Sequence, residues 1–156
     1  NAQLSEKLAS LALPVPKAPG SIPVLPDSER LISFDANDLK ITALQLRKGG
    51  SDFLLSLTVN DAKYDFLFGA GTWRFGETTK PGPYLIPAMN YFAGLPPHRV
   101  AGAYTGNENQ LEFTLRYIES PHSERMVIDF MPENSVSFTV YPSNLFGQSS
   151  LSITGR

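Results

Sequence analysis

The chain has 156 residues, 42% hydrophobic and 18% charged, with a formal net charge of −2. That length holds one domain with a sizeable core, burying roughly 70% of its unfolded surface, and the composition excludes a disordered chain and a basic binder of nucleic acid or anionic membrane. The absence of cysteine excludes disulfides, thiol nucleophiles and thiolate metal sites.

No apolar run approaches the roughly 20 residues that a membrane span requires. The chain starts at Asn1 with no initiator Met and no signal-peptide pattern, which reads as a piece of something larger or a processed product. "LSEKLASLAL" (4–13) spaces Leu4, Leu8 and Leu11 for one helical face, so a short amphipathic helix is expected there, stopped by Pro14. A helix this short is marginal alone and should dock on this domain or on a partner. "PVPKAPGSIPVLP" (14–26) follows as an extended linker of polyproline character. The expected division is helix and Pro-rich linker over 1–28 and a β-barrel domain over 29–156.

Proline marks where strands can form, because it removes a ladder donor. Five of the 13 prolines fall between Pro14 and Pro26, five between Pro81 and Pro97, and none between Glu29 and Lys80. From Glu29 onward the hydrophobic period is two. Strands are expected at 29–34 and 38–47. "DFLLSLTVN" (52–60) sets Phe53, Leu55, Leu57 and Val59 on one face, and "AKYDFLF" (62–68) sets Tyr64, Phe66 and Phe68. Asn60-Asp61 between them is a two-residue hairpin signal that lacks the usual Gly.

"FGAGTWRFG" (68–76) places the only Trp among glycines, with neither the Lys-Ser/Thr pair nor the helix signal of a phosphate loop. Trp73 reads as a barrel plug or core anchor, with a ligand platform as the other option. The stretch 80–97 carries Tyr84, Met89, Tyr91 and Phe92. A loop that long is expected to cap a barrel mouth or meet a neighbouring domain.

A strand at 98–105 is followed by "QLEFTLRYIE" (110–119), with Leu111, Phe113, Leu115 and Tyr117 on one face. "RMVIDFM" (125–131) sets Met126, Ile128 and Phe130 together, "NSVSFTVY" (134–141) sets Val136, Phe138 and Val140, and "SLSIT" (150–154) closes the chain. About nine strands with short connectors predict an all-β fold, an antiparallel up-and-down β-barrel of about 8–9 strands whose closure removes free edges.

"ESPHSE" (119–124) crowds Ser, His and Glu into one hairpin. Residues this close in sequence rarely converge as a nucleophile, base and orienter. Ser120 and Ser123 are therefore read as turn residues around Pro121, and Glu119, Glu124 and Arg125 as solvated shoulders or a cross-strand pair. Glu112 and Asp129 fall on the polar faces of their strands. Only His98 and His122 exist, without a second ligand at metal-site spacing, so neither metal nor other cofactor is expected.

Taken together, "LASLALPVPKAPG", "FGAGTWRFGETT" and "HRVAGAYTGNENQLEFTLRYIESPHSERMVIDF" span most of 4–141. This pattern resembles the C-terminal accessory domain of bacterial serine hydrolases related to class C β-lactamases and penicillin-binding proteins. "GTWRFGET" (71–78) and "VAGAY…LEFTLRYIESPHSE" (100–124) are its most specific pieces. The resemblance implies a lipocalin-like barrel, a periplasmic or extracytoplasmic bacterial location, and an N-terminal serine hydrolase domain of the same parent chain as partner. The family's catalytic signature is Ser-x-x-Lys with a Tyr-x-Asn element. None of the six lysines here has Ser three positions before it, and no Tyr has Asn two positions after it. No catalytic residue carries over, so this stretch is expected to be non-catalytic.

Two alternatives stand beside that expectation. One is a lipocalin-like module with its own pocket for a small apolar ligand, which requires a cavity of about 300 Å³ or more. The other is a self-contained hydrolase using Ser120 or Ser123 with His122. Candidate ligand or interdomain contacts are Trp73, Tyr84, Tyr91, Phe92, Tyr117, Glu119, His122 and Glu124.

Overall fold

A computed structural model describes residues 2–9, 13–23, 25, 29–81, 97–142 and 150–156. The period-two stretches are strands: β1 Glu29–Ser33, β2 Ile41–Gly49, β3 Asp52–Val59, β4 Ala62–Ala70, β5 Arg74–Thr78, β6 His98–Asn107, β7 Gln110–Tyr117, β8 Ser123–Phe130, β9 Val136–Pro142 and β10 Leu151–Gly155. The wall runs β1-β2-β3-β4-β6-β7-β8-β9-β10, and β5 pairs with β6 beside this path. The two ends of the sheet meet. Phe34 bridges Gly155, and the backbones of Ser33 and Arg156 exchange hydrogen bonds of 3.0 and 3.2 Å. The fold is thus an all-β barrel.

Two details differ from the expected antiparallel meander. The stretch around Trp73, where no strand was expected, contains β5. That strand buries little of itself, and Phe75 is 71% exposed, so no apolar alternation betrays it. Because β5 runs back between β4 and β6, those two strands touch in parallel, at Gly69↔Ala103 and Ala70↔Tyr104. All other pairs are antiparallel.

The turns follow local chemistry. Asn60 and Asp61 take φ of 48° and 65°, the left-handed pair that a type I′ hairpin requires. A register shift between Ile41 and Ala43 lets Ile41 and Leu44, an odd number of residues apart, both point inward. Gly155 sits where the seam closes. A Cβ there would lie 2.6 Å from the Ser33 carbonyl and 2.7 Å from the Phe34 ring, so only glycine admits this approach.

The interior is filled at one end. Phe53, Phe68, Tyr104 and Phe113 are buried, with the Phe53–Tyr104 and Phe68–Phe113 rings edge-to-face at 5.0 and 4.9 Å. Each such ring contributes about 1.5–3 kcal/mol by burial, plus a smaller gain from edge-to-face geometry. The Tyr104 hydroxyl donates to the Ser51 carbonyl at 2.9 Å. Burial, with the Asp52 carboxylate nearby, pushes the Tyr104 phenol up from its ordinary 10.0. Asp52 is itself held by Arg74 at 2.9 Å.

Upstream, α1 covers Ala2–Ala9, starting two residues before the expected helix. Leu13 is no longer helical, and residues 10–12 fall outside the described ones. Leu4 and Leu8 are 60% and 57% exposed, so these two residues of the helix's apolar face do not pack on the barrel. The linker does touch it: Ala18 lies against Gly71 (φ 58°) so closely that a Cβ on Gly71 would come within 2.7 Å of the Ala18 Cβ.

Candidate functional site

Among the described residues, the other end of the barrel is open. A cavity of about 450 Å³ lies there, lined among the described residues by the ends of β2, β3, β4, β8 and β9 together with Lys80 and Pro81. Its wall is mainly apolar, with Ile41, Leu57, Val59, Ala62, Met126 and Val140. The aromatic residues that fill the opposite end are absent from this lining, which is why space remains. A cavity of this size falls within the range of small-ligand sites, about 300–1,000 Å³.

A charged pair, Lys80 and Glu124, interrupts the apolar wall, with Asn60 and Tyr64 as its other polar members among the described residues. Glu124 belongs to β8 on the same face as Met126 and Ile128, and it points inward, only 7% exposed. The Lys80 ammonium donates to both of its carboxylate oxygens, at 2.8 and 3.0 Å. The Tyr117 hydroxyl donates to Oε1 at 3.1 Å. Lys80 is in turn placed by its own backbone amide, which donates to the hydroxyl of buried Thr78 at 3.1 Å. Burying a carboxylate in an apolar wall is costly without such partners; here both charges are compensated. The solvated shoulder expected at Glu124 is therefore corrected: the two-residue period of "ERMVI" puts it on the inner face.

The rest of the 119–124 stretch goes elsewhere. The β7–β8 hairpin closes with the Tyr117 amide donating to the His122 carbonyl at 3.1 Å, and the Ser120 hydroxyl accepts the His122 backbone amide at 3.2 Å. These are turn bonds. Glu119 is exposed and lies 3.9 Å from Arg99. His122 is buried, and its Nδ1 has no hydrogen-bond partner among the described residues. Ser120 and His122 line a second, outer groove of about 370 Å³, whereas Glu124 lines the barrel cavity. Ser120 and His122 thus share one cavity, and Glu124 serves another.

Trp73 is neither plug nor core anchor. It is half-buried outside the core, and its indole N–H donates to the Leu13 carbonyl at 3.2 Å. The Arg116 guanidinium lies 6.0 Å from the Trp73 ring centre. The outer groove runs here, with Leu13, Phe75 and Ile118 supplying apolar surface. Tyr84, Tyr91 and Phe92, expected to cap the mouth or contact a neighbour, fall outside the described residues.

Lys80 escaped the sequence reading. It follows Thr79 and precedes a proline-rich stretch, with no periodic pattern, and only the folded barrel brings it to Glu124. Among the described residues no group of three or more His, Cys, Asp or Glu side chains could hold a metal ion, and no helix is long and apolar enough to cross a membrane. No protein-family model matches this chain, and no curated protein is significantly similar to it.

Proposed function

We propose that this barrel is a non-catalytic C-terminal accessory domain of a bacterial, extracytoplasmic serine hydrolase related to class C β-lactamases, packing on and supporting the catalytic domain of the same parent chain. The observation that carries the reading is the apolar strip where linker meets barrel: Leu13, Val15 and Phe75 are 49%, 44% and 71% exposed, and Trp73 clasps the linker through Leu13. Exposed apolar surface beside a tethered linker suits an interdomain contact. The exposed leucines of α1 favour the same reading, because a short helix needs a surface to bury its apolar face.

The test is the parent chain itself. Its coding sequence should specify a Ser-x-x-Lys domain ahead of this one. The full product should turn over nitrocefin or an ester, the barrel alone should not, and Phe75→Asp should lower the full product's thermal stability. A parent chain without such a domain, or turnover by the barrel that His122→Ala abolishes, ends the reading.

A second reading, a small-ligand-binding module in the manner of lipocalins, is favoured by the cavity of about 450 Å³ at the barrel mouth.

A further inference from the structure

We infer that the mouth cavity takes an uncharged amphiphile, an aliphatic tail carrying an ester or amide head, with the head's carbonyl oxygen accepting a hydrogen bond from Lys80. The inference rests on the ligand-binding reading and adds the chemistry of the ligand.

The tail half follows from the wall. Leu57, Val59, Met126 and Val140 offer aliphatic surface, and each methylene buried against it adds to affinity. Met126 adapts to an irregular chain better than a branched residue would.

The head half follows from the ion pair. Lys80 and Glu124 side chains are 19% and 8% exposed, so the pair lies in a poorly hydrated place where uncompensated charge is costly. Among the described residues, Lys80 contacts the two Glu124 oxygens, which leaves the third of its N–H groups as a donor. Glu124 already accepts from Lys80 and Tyr117. The pair sums to zero charge and still offers a donor. A carbonyl oxygen can take that donor and adds no charge. A carboxylate head would bring a second negative charge beside Glu124, and an ammonium head would compete with Lys80 for it. Both lose by like-charge repulsion in a low-dielectric wall.

Calorimetric titration of the chain with methyl decanoate, decanamide, decanoate and decylammonium, each below its micelle concentration, tests this. Methyl NMR of Met126 and Val140 locates the bound ligand. Ester and amide should bind about ten-fold tighter than either charged probe, the scale of one charge-assisted hydrogen bond, and should shift both methyl signals. In K80M/E124L, which keeps an apolar wall, the tail should still bind, but ester and amide should bind about ten-fold more weakly than to the wild type, because the Lys80 donor is gone. Decanoate or decylammonium binding as tightly as the ester to the wild type overturns the head-group inference and leaves the ligand-binding reading standing. Unchanged ester and amide affinity in the double variant removes Lys80 from it. No binding by any probe, or binding that leaves the Met126 and Val140 methyls unmoved, removes both the inference and the reading of this cavity as a ligand site.

Discussion

At the scale of single residues, Glu124 is the most consequential side chain. Its carboxylate stands in an apolar wall only because Lys80 and Tyr117 hold it. Glu124→Ala strands the Lys80 ammonium, and removing one partner of a buried pair typically costs about 3–5 kcal/mol. Lys80 keeps some contact with water, so a loss near the lower end, about 3 kcal/mol, is expected in urea unfolding followed by circular dichroism. Replacing both partners with apolar groups, as in K80M/E124L, should leave stability within about 1 kcal/mol of the wild type, since buried pairs are often no better than well-packed hydrocarbon. A cost below about 1 kcal/mol for Glu124→Ala would mean that the pair is effectively solvated.

At the scale of elements, the β3–β4 hairpin shows local chemistry at work. Asp61 holds φ of 65° without glycine's freedom, and Asn-Gly is the preferred pair for this turn. Asp61→Gly should therefore stabilise the barrel by about 0.5–1 kcal/mol, less whatever entropy the more flexible unfolded chain recovers. An unchanged or lowered urea midpoint would show that the Asp61 side chain contributes more than its backbone strain costs. This turn was legible because Asn60-Asp61 separates two clean alternations. β3, β4, β7 and β8 were legible for the same reason: their inward positions are mostly apolar and their outward positions mostly polar. β5 was not, because its pairing is with β6 alone and its Phe75 faces outward, so no periodic signal marks it. Glu124 was half legible. Its parity with Met126 and Ile128 was in view, but a carboxylate on an inner face defies the usual rule for charge, and its partner Lys80 lies 44 residues away in sequence.

At the scale of the whole molecule, the barrel depends on two thin joints. One is the parallel contact of β4 with β6, which covers two register positions. The other is the seam, where Phe34 and Ser33 meet Gly155 and Arg156. Gly155→Val drives a branched side chain into the Ser33 carbonyl and the Phe34 ring, so the seam should part before the rest of the wall. Hydrogen exchange should then quicken at the Ser33 and Arg156 amides while the Leu55 and Phe113 amides keep their protection. Uniform loss of protection would mean that seam and wall open as one unit.

The clasp between Trp73 and Leu13 has a spectroscopic consequence. Trp73 is the chain's only tryptophan, and it sits outside the core against the linker. Intrinsic emission from this protein is therefore a native gauge of how the linker lies on the barrel. Far-ultraviolet dichroism reports the strands. The two signals follow one transition only to the extent that linker and barrel melt together, so the chain carries its own label for the joint between them.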